Sequence, residues 1–321
     1  MDRNLALELI RVTEAAALAA ARWMGKGNAS AADTAAIAAM HHNLTSIHFQ
    51  GTVVLGEGDP EHAPALFAGE KIGDSTGAVT DKVDLALDAL ESTRSVAFGR
   101  LNAMSIAVAA DPDSFFVPPT LYMEKIAVGA AAADVVDLNA PIEENLSQIA
   151  RVKGYSISDL TVAILDRERH HELIEVVRRT GARIHLIPDG DVAASIAAAM
   201  EGTGIDLVVG SGGAVPGVLA AGALRCIGGQ LLARLAPTTS DEAEAARKAG
   251  LADINHVYTA RDLVRGDNIM FAATGVTDGD MLNGVRYRPD GATTHSLVMR
   301  SRTGTRRMIV TEHYFDEGPD Y

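Results

Sequence analysis

The sequence predicts an α/β protein of two domains: an α+β domain over residues 1–150, and an α/β domain with a mainly parallel sheet over residues 151–321. Three observations support this prediction. A chain of 321 residues is long enough for one large or two ordinary domains. Strand patterns outnumber clear helical patterns from residue 51 to about residue 135. From about residue 141, apolar strand patterns alternate with helical patterns of about 10 to 15 residues, which is typical of βαβ units.

The first domain opens with two helical patterns and continues with strands. We expect one helix from Asn4 to about Met24, ended by Gly25, and a second from near Ser30 through AADTAAIAAMHHNL. The short apolar or alternating stretches TVVLG, VDLAL and SIAVAA are typical of strands. The segment DALESTRSVAFG lies between the last two strands.

The second domain alternates between the two kinds of element. Helices are expected at IEENLSQIARVKG, RHHELIEVVRRTG, DVAASIAAAMEG and GVLAAGALRCIGG, and strands at DLTVAILD, RIHLIPD and IDLVVGSGG. Near the end of the chain, THSLVMRS and TRRMIVTEHYF are separated by RTGT, which predicts a β-hairpin. We place the domain junction between Asn139 and Ser158.

The composition excludes several classes of protein. The formal net charge is −14, whereas general nucleic-acid binding needs a cationic surface. The single cysteine, Cys226, cannot form an intrachain disulfide, which fits a reducing compartment. The segment MDRNLALELI lacks the pattern of a signal peptide, and charged residues interrupt the apolar stretch that follows it. We therefore expect a cytoplasmic protein that binds neither nucleic acid nor membranes.

Four carboxylates stand at the ends of predicted elements, namely Asp33, Glu57, Asp88 and Glu91. Glu57 lies between two glycines after TVVLG, so a ligand can approach it closely. Asp88 and Glu91 follow VDLAL, where a turn can direct both at one point. Hard oxygen ligands of this kind suit Mg²⁺ or Mn²⁺.

Each of these acids also has an ordinary structural interpretation. Ser30 and Asp33 have the spacing of a capping box. Glu57 fits a solvated acid in a glycine-rich turn. Asp88 and Glu91 fit an exposed helix start, where the macrodipole favours acids. Composition and spacing alone leave both interpretations open.

Charged residues also follow strands of the second half. Arg167 and Arg169 come after DLTVAIL, and they either bind a phosphate at the strand end or lie on a solvated helix start. Asp189 and Asp191 follow RIHLIP; they either accept hydrogen bonds from sugar hydroxyls or, for Asp191, cap the next helix. GSGGAVPG, residues 210–217, lacks the P-loop lysine, so it is either a backbone loop near a ligand or a tight turn.

Taken together, these segments resemble those of the class II fructose-1,6-bisphosphatases, in the inositol-monophosphatase-like superfamily. The motifs in chain order are RVTEAAALAAARWMGKG, AAD, GEG, VDLALDALESTR, LYMEKIAVG, LDRERH, IPDGDVAASI, GSGGAVPG and GDNIMFAATGVTDGDML. The resemblance covers nearly the whole chain. The combination of VD-x-A-x-D-x-x-E-x-T, YMEK with IPDGDVAAS, and DNIMFAATG is specific.

The resemblance implies a sugar-phosphatase fold in which residues 1–150 bind metal and phosphate and residues 151–321 bind the sugar. It implies hydrolysis of the 1-phosphate of fructose 1,6-bisphosphate, or of a related sugar phosphate, with Mg²⁺ or Mn²⁺, by a homodimer or homotetramer. The implied metal ligands are Asp33, Glu57, Asp88 and Glu91. Catalytic roles are implied for Glu57 and for Thr93, whose hydroxyl positions the attacking water. The implied substrate-binding residues are Ser92, Thr93, Arg94, Tyr122, Arg167, Arg169, Asp189 and Asp191.

The sequence departs from the family pattern close to these residues. Ala89 and Ser92 replace the proline and glycine of D-P-[IL]-E-G-T, and Ser92 costs about 1–2 kcal/mol if its backbone must be left-handed. Pro216 stands where the family has a glutamate metal ligand, Ala29 where it tends to have lysine, and His62 where it has an aspartate. These losses keep an alternative open: a non-hydrolytic homologue that binds a sugar phosphate or regulates another protein.

Overall fold

The computed structural model describes residues 1, 4–59, 61, 63–74, 76, 81–251 and 253–315. The chain forms two compact units: unit 1 combines Met1–Phe115 with Gly266–Tyr321, and unit 2 is Phe116–Arg265. Each unit contains helices and a sheet, which confirms the predicted α/β class. Over the part of the chain that the structure describes, no helix is long and apolar enough to cross a membrane.

Helices and strands follow one another in both units. The helices are α1 (Leu5–Ala21), α2 (Ala29–Thr45), α3 (Thr93–Ala97), α4 (Ile142–Lys153), α5 (His171–Thr180), α6 (Asp191–Ala198), α7 (Ala214–Ile227), α8 (Ser240–Lys248) and α9 (Ala260–Leu263). The strands are β1 (Gln50–Leu55), β2 (Lys71–Ile72), β3 (Lys82–Glu91), β4 (Met104–Ala110), β5 (Tyr122–Val128), β6 (Thr161–Leu165), β7 (Arg183–Ile187), β8 (Leu207–Gly213), β9 (Gln230–Leu235), β10 (Tyr258–Thr259), β11 (Ile269–Gly275), β12 (Arg286–Arg288), β13 (Gly291–Arg300) and β14 (Thr305–Tyr314).

The sheet of unit 1 runs in the order β12-β13-β11-β4-β3-β1-β2, and β14 also pairs with β13. β1 pairs with β3 in parallel, while the other described pairs of this sheet are antiparallel. The predicted hairpin near the end of the chain is confirmed: β13 and β14 pair from Arg300↔Thr305 to Gly291↔Tyr314.

Helix α1 is buried over most of its surface, since it packs on the sheet of unit 1 and on α2. The residues Ala15, Ala19 and Ala39 form a small cluster between the two helices, where short side chains permit close packing. Polar groups also join α1 to the sheet. The hydroxyl of Thr13 lies 2.8 Å from that of Thr274 on β11, and Glu14 Oε1 accepts a hydrogen bond of 3.0 Å from Thr294 on β13. These buried partners fix the register of α1 against the strands.

The division into units differs from the predicted domains, 1–150 and 151–321. The strand β5, which lies before residue 150, pairs with β8 and β9 of unit 2. The strand β11 returns to unit 1, where it pairs with β4 and β13. Both differences arise from pairing between strands that are distant in the chain, which a pass along the sequence does not detect.

The sheet of unit 2 is mixed, so the expectation of a mainly parallel sheet is wrong. Its order is β10-β9-β5-β8-β6-β7. β6 is parallel to β7 and β8, as the alternation of strands and helices predicts. However, β5 is antiparallel to both β8 and β9, and β9 is antiparallel to β10. Ile126 on β5, Val162 on β6 and Leu207 on β8 belong to one hydrophobic cluster, so the antiparallel and parallel parts of the sheet share a core.

Candidate functional site

β1 ends beside the middle of β3 in unit 1, and β3 continues beyond it to Glu91. Because these strands are parallel, with Leu55 opposite Ala86, their carboxyl ends leave the sheet at the same edge. Glu57 follows β1, and its Oε1 accepts a hydrogen bond of 2.9 Å from the backbone N–H of Ala89. The structure therefore brings Glu57 into contact with the segment that contains Asp88 and Glu91.

A β-bulge sets the direction of Asp88 and Glu91. The expected turn after VDLAL is absent, because β3 continues through Glu91. Asp88 lies opposite Ile106 of β4, and Glu91 lies opposite Met104, so β3 has one residue more than β4 over this stretch. Since Ile106 and Met104 share a face, the bulge puts Asp88 and Glu91 on that same face, which regular alternation would not.

Asp33 lies inside α2 and does not cap it. The N-cap is Asn28, whose side chain accepts a hydrogen bond of 3.0 Å from the N–H of Ala31, so the capping-box interpretation of Asp33 is wrong. The loop before α2 is held against α3. The N–H groups of Gly25 and Gly27 donate to carbonyls of α3 at 2.9 and 2.8 Å. This connection places α2 beside the end of β3.

The carboxyl groups of Asp33 and Glu57 both have raised pKa values. Burial raises the pKa of Asp33. Burial raises the pKa of Glu57 to about 7, the hydrogen bond from Ala89 opposes that rise, and the nearby charge of Asp33 adds to it. A nearby cation would favour the charged form of both acids and so oppose this rise in pKa.

The four acids have the right chemistry for Mg²⁺ or Mn²⁺, but the structure does not assemble them into one centre. Among the residues that are described, no group of three or more His, Cys, Asp or Glu side chains is arranged to hold a metal ion. Asp33 and Glu57 nevertheless supply the hard carboxylate oxygens that these ions prefer. On the loop after β1, Glu61 is exposed, and His62 lies outside the described residues.

Ser92 has the left-handed backbone that glycine favours. Its φ is 71° and its ψ is 48°, and its hydroxyl is buried with no hydrogen-bond partner among the described residues. The sequence predicts strain at Ser92 if its backbone is left-handed, and this condition is met. The next residue, Thr93, is half-buried and begins α3, while Arg94 is exposed.

In unit 2, Arg169 and Tyr122 are brought together. The guanidinium of Arg169 lies over the Tyr122 ring, 5.3 Å from its centroid, and its Nε and Nη2 donate to the carbonyl of Ser211 at 3.2 and 2.8 Å. Arg167 Nη2 lies 3.8 Å from Asp189 Oδ1, and both side chains are more than one third exposed. This edge of the sheet therefore presents two guanidinium groups to solvent.

His170, which the sequence analysis did not single out, supports this arrangement. Its Nε2 accepts a hydrogen bond of 2.8 Å from the N–H of Ser211, so Nδ1 carries the proton and donates to the Leu165 carbonyl at 2.8 Å. Burial and the charges of Arg169 and Arg167 lower the pKa of His170, which keeps the ring neutral. Nothing in the sequence separates this histidine from its neighbour His171.

Asp191 is held by Lys125, a second residue that the sequence analysis missed. Lys125 Nζ donates to Asp191 Oδ2 at 2.5 Å and to the Gly213 carbonyl at 3.0 Å, and both charged side chains are buried. Asp191 is the first residue of α6 and Gly190 is the N-cap, so the capping interpretation of Asp191 is wrong. The available signal for Lys125 was its position in the apolar strand YMEKIAV.

The glycines of GSGGAVPG make room for these buried groups. A Cβ at Gly212 would lie 1.9 Å from Asp191 Oδ2, and one at Gly210, whose φ is +134°, would lie 2.9 Å from His170 Nε2. The backbone of this loop thus lies close to the side chains of Asp191 and His170. It forms the end of β8 and the start of α7.

Pro216, which stands where the resemblance implies a glutamate, lies in an apolar environment. It lies in the first turn of α7, a position that tolerates proline. With Pro118, Pro119, Leu121 and Val215 it lines an open cavity of about 570 Å³. Glu242 also borders this cavity, but its oxygens accept hydrogen bonds from Leu121 and Thr238.

Comparison with known proteins finds similarity along nearly the whole chain. A model of the family described as bacterial fructose-1,6-bisphosphatase, glpX-encoded, matches residues 3–313. The class 2 fructose-1,6-bisphosphatase of Haemophilus influenzae is 40% identical over an alignment of 329 residues. The alignment covers 99% of this chain and 98% of that protein. Fructose-1,6-bisphosphatase 1 class 2 of Escherichia coli K12 is 40% identical over 328 residues, 98% of this chain and 97% of that protein.

Replacing Ser92 by glycine is expected to stabilise the protein by about 1 kcal/mol, because the left-handed backbone no longer carries a Cβ. The matched control is Ser92→Ala, which also removes the buried, unpartnered hydroxyl but keeps the Cβ, so the backbone strain is measured as the difference between the two variants. Thermal melting measures both. Equal midpoints for the glycine and alanine variants would show that the backbone of Ser92 is not strained.

Replacing Lys125 by methionine is expected to cost about 3–5 kcal/mol of unfolding free energy, because the carboxylate of Asp191 stays buried without its cation. The double variant Lys125→Met with Asp191→Asn removes both charges and should recover a large part of that loss. Urea unfolding measures the free energies. A double variant as unstable as the single one would argue that the charge of Asp191 does not matter.

The metal-free protein is expected to lose stability between about pH 4.5 and pH 7, owing to Glu57. Its pKa is raised in the folded state, so the stabilisation is complete below pH 4.5 and disappears as the pH approaches 7. Glu57→Gln should flatten this part of the profile, while Glu61→Gln on the exposed side of the same loop should not. Melting curves in EDTA across this range test the prediction; identical profiles for wild type and Glu57→Gln would contradict it.

Proposed function

Since the chain belongs to the family of bacterial fructose-1,6-bisphosphatases, we propose that it hydrolyses a sugar phosphate with the help of a divalent metal ion. Membership places the chain among phosphoric monoester hydrolases and confirms the resemblance predicted from its motifs. The default substrate is fructose 1,6-bisphosphate, with a related sugar phosphate as the other possibility. The observation that carries this proposal is the hydrogen bond between Glu57 and Ala89, which brings Glu57 to the segment that contains Asp88 and Glu91.

We assign the metal to the acids of unit 1. Asp33, Glu57, Asp88 and Glu91 would hold Mg²⁺ or Mn²⁺, because hard carboxylate oxygens suit these ions. Binding would bring the four acids closer together than the described arrangement does. When bound, such an ion neutralises phosphoryl oxygens and lowers the pKa of a water molecule. This also explains how a chain of net charge −14 attracts an anionic substrate.

The catalytic roles proposed for the protein's own residues fall to Glu57 and Thr93. The N–H of Ala89 holds one oxygen of Glu57, so the orientation of this carboxylate is set before a ligand binds. The hydroxyl of Thr93, half-buried at the start of α3, would orient the attacking water. Its neighbours Ser92 and Arg94 would contact the phosphate that is cleaved.

In unit 2, the residues proposed to bind the sugar and its second phosphate are Tyr122, Arg167, Arg169, Asp189 and Asp191. The two arginines supply charge-assisted hydrogen bonds to phosphate, and Arg169 is already positioned by Tyr122 and Ser211. Asp189 is accessible to hydroxyl groups. Asp191 is less available, because Lys125 occupies its Oδ2.

A second candidate function is a non-hydrolytic homologue that binds a sugar phosphate or regulates another protein. Two observations favour it: Pro216 and an apolar cavity stand where the family has a metal-binding glutamate, and the described acids form no cluster of three. Under either function, we propose a cytoplasmic homodimer or homotetramer that binds neither nucleic acid nor membranes. The net charge of −14 supports the exclusion of nucleic acid.

Phosphate release from a panel of sugar phosphates, with Mg²⁺ or Mn²⁺, tests the proposed function. We expect release from fructose 1,6-bisphosphate or a related member, its loss in EDTA, and a decrease on the order of 100-fold in Asp88→Asn, which keeps the side-chain shape and removes a ligand charge. Glu61→Gln is the matched control on an exposed acid.

The same panel separates the two functions. Thermal stabilisation by a sugar phosphate without release of phosphate would favour the non-hydrolytic homologue. Neither release nor stabilisation with any member would exclude both.

A further inference from the structure

The outer strand of unit 1, β14, ends its sheet. β14 pairs with β13 over all ten residues, from Arg300↔Thr305 to Gly291↔Tyr314. β11 and β12 pair with different parts of β13, so both lie along its opposite edge. Over the described residues, the second edge of β14 therefore has no partner strand.

Of the features that usually keep sheet edges from pairing with other chains, this edge has charged side chains but neither a proline nor a bulge. β14 has ten residues, contains no proline and shows no shift of register against β13. Met308 and Val310, on one face of the strand, are 51% and 61% exposed. A long, regular edge with exposed apolar side chains is a template for strand addition.

The sequence of β14 is complementary to itself. Two copies of β14 that pair edge to edge and antiparallel are related by a two-fold axis normal to the sheet. Equivalent side chains of the two copies then lie on the same face of the joined sheet. When the axis passes through a residue, even-numbered residues lie opposite even-numbered residues, and odd-numbered residues lie opposite odd-numbered ones. With the axis at Ile309, Met308 opposes Val310 of the partner subunit. In the same register, Arg306 opposes Glu312 of the partner subunit. Each of these contacts occurs twice.

Neighbouring registers lose this match. An axis at Val310 puts Met308 against Glu312 of the partner subunit, and an axis at Met308 puts Arg306 against Val310 of the partner subunit. Arg306 is exposed, and the Glu312 side chain is 56% exposed. Within one copy, Glu312 lies 3.8 Å from Arg288 and accepts a hydrogen bond of 2.9 Å from Tyr314, which leaves room for a further cation.

We propose that β14 is the surface through which two copies of this chain associate, paired antiparallel about Ile309 so that their unit 1 sheets become one continuous sheet. Main-chain hydrogen bonds and the Met308–Val310 contacts supply the attraction. The Arg306–Glu312 pairs select the register and the partner. The proposal does not depend on the hydrolytic activity.

Reversing single charges tests this interface. Arg306→Glu and Glu312→Arg each turn two attractive contacts into two repulsive ones, so we expect the dimer Kd from sedimentation equilibrium to rise about tenfold or more. An equimolar mixture of the two variants restores opposite charges across both positions and should form a heterodimer close to wild type in affinity.

Arg307→Glu is the matched control. This residue is exposed on the same strand but lies on the other face, where the proposed register opposes it to Thr311 of the partner subunit. Its reversal should leave the Kd within about threefold of wild type. The proposal is overturned if the wild-type chain is monomeric throughout, if all three single variants associate like wild type, or if the mixture does not recover affinity.

Discussion

The parallel pairing of β1 with β3 is the constraint on which the acidic part of the candidate site depends. It makes two segments that are distant in the chain leave the sheet at one edge, and Glu57 thereby reaches the N–H of Ala89. The bulge in β3, the left-handed backbone of Ser92 and the start of α3 all follow within a few residues of this contact. The loop before α2 then bonds to α3, which positions Asp33. Each step depends on the preceding one.

The two units handle buried charge in opposite ways. In unit 1, burial raises the pKa values of Asp33 and Glu57, and the charge of Asp33 adds to the rise at Glu57. In unit 2, Lys125 and Asp191 neutralise each other completely, and the neutral ring of His170 secures the loop beside the arginines. Acids with raised pKa values are typical of a functional site, whereas compensation of the second kind is typical of a scaffold.

The sequence predicted local elements better than long-range pairing. Periodicity located α1, α2, the strands β6, β7 and β8, and the hairpin near the end of the chain, because each depends on neighbouring residues. The unit boundaries and the antiparallel partners of β5 depend on contacts between distant strands, which periodicity does not report. Motif spacing singled out Glu57 and Arg169, and the structure places both beside the ends of strands. Lys125 and His170 were missed, because one polar residue in a strand or helix start carries no pattern.

Unit 1 is built from two stretches of chain, and this has a consequence during synthesis. β4 is made long before β11, the strand that covers its side in the finished sheet, because all of residues 116–265 come between them. At about 5–20 residues per second, the ribosome leaves that edge open for on the order of 10 s. Unit 2 is continuous and has all its strands before unit 1 is complete. The nascent chain is therefore most exposed to misassembly while its first half waits for its last strands.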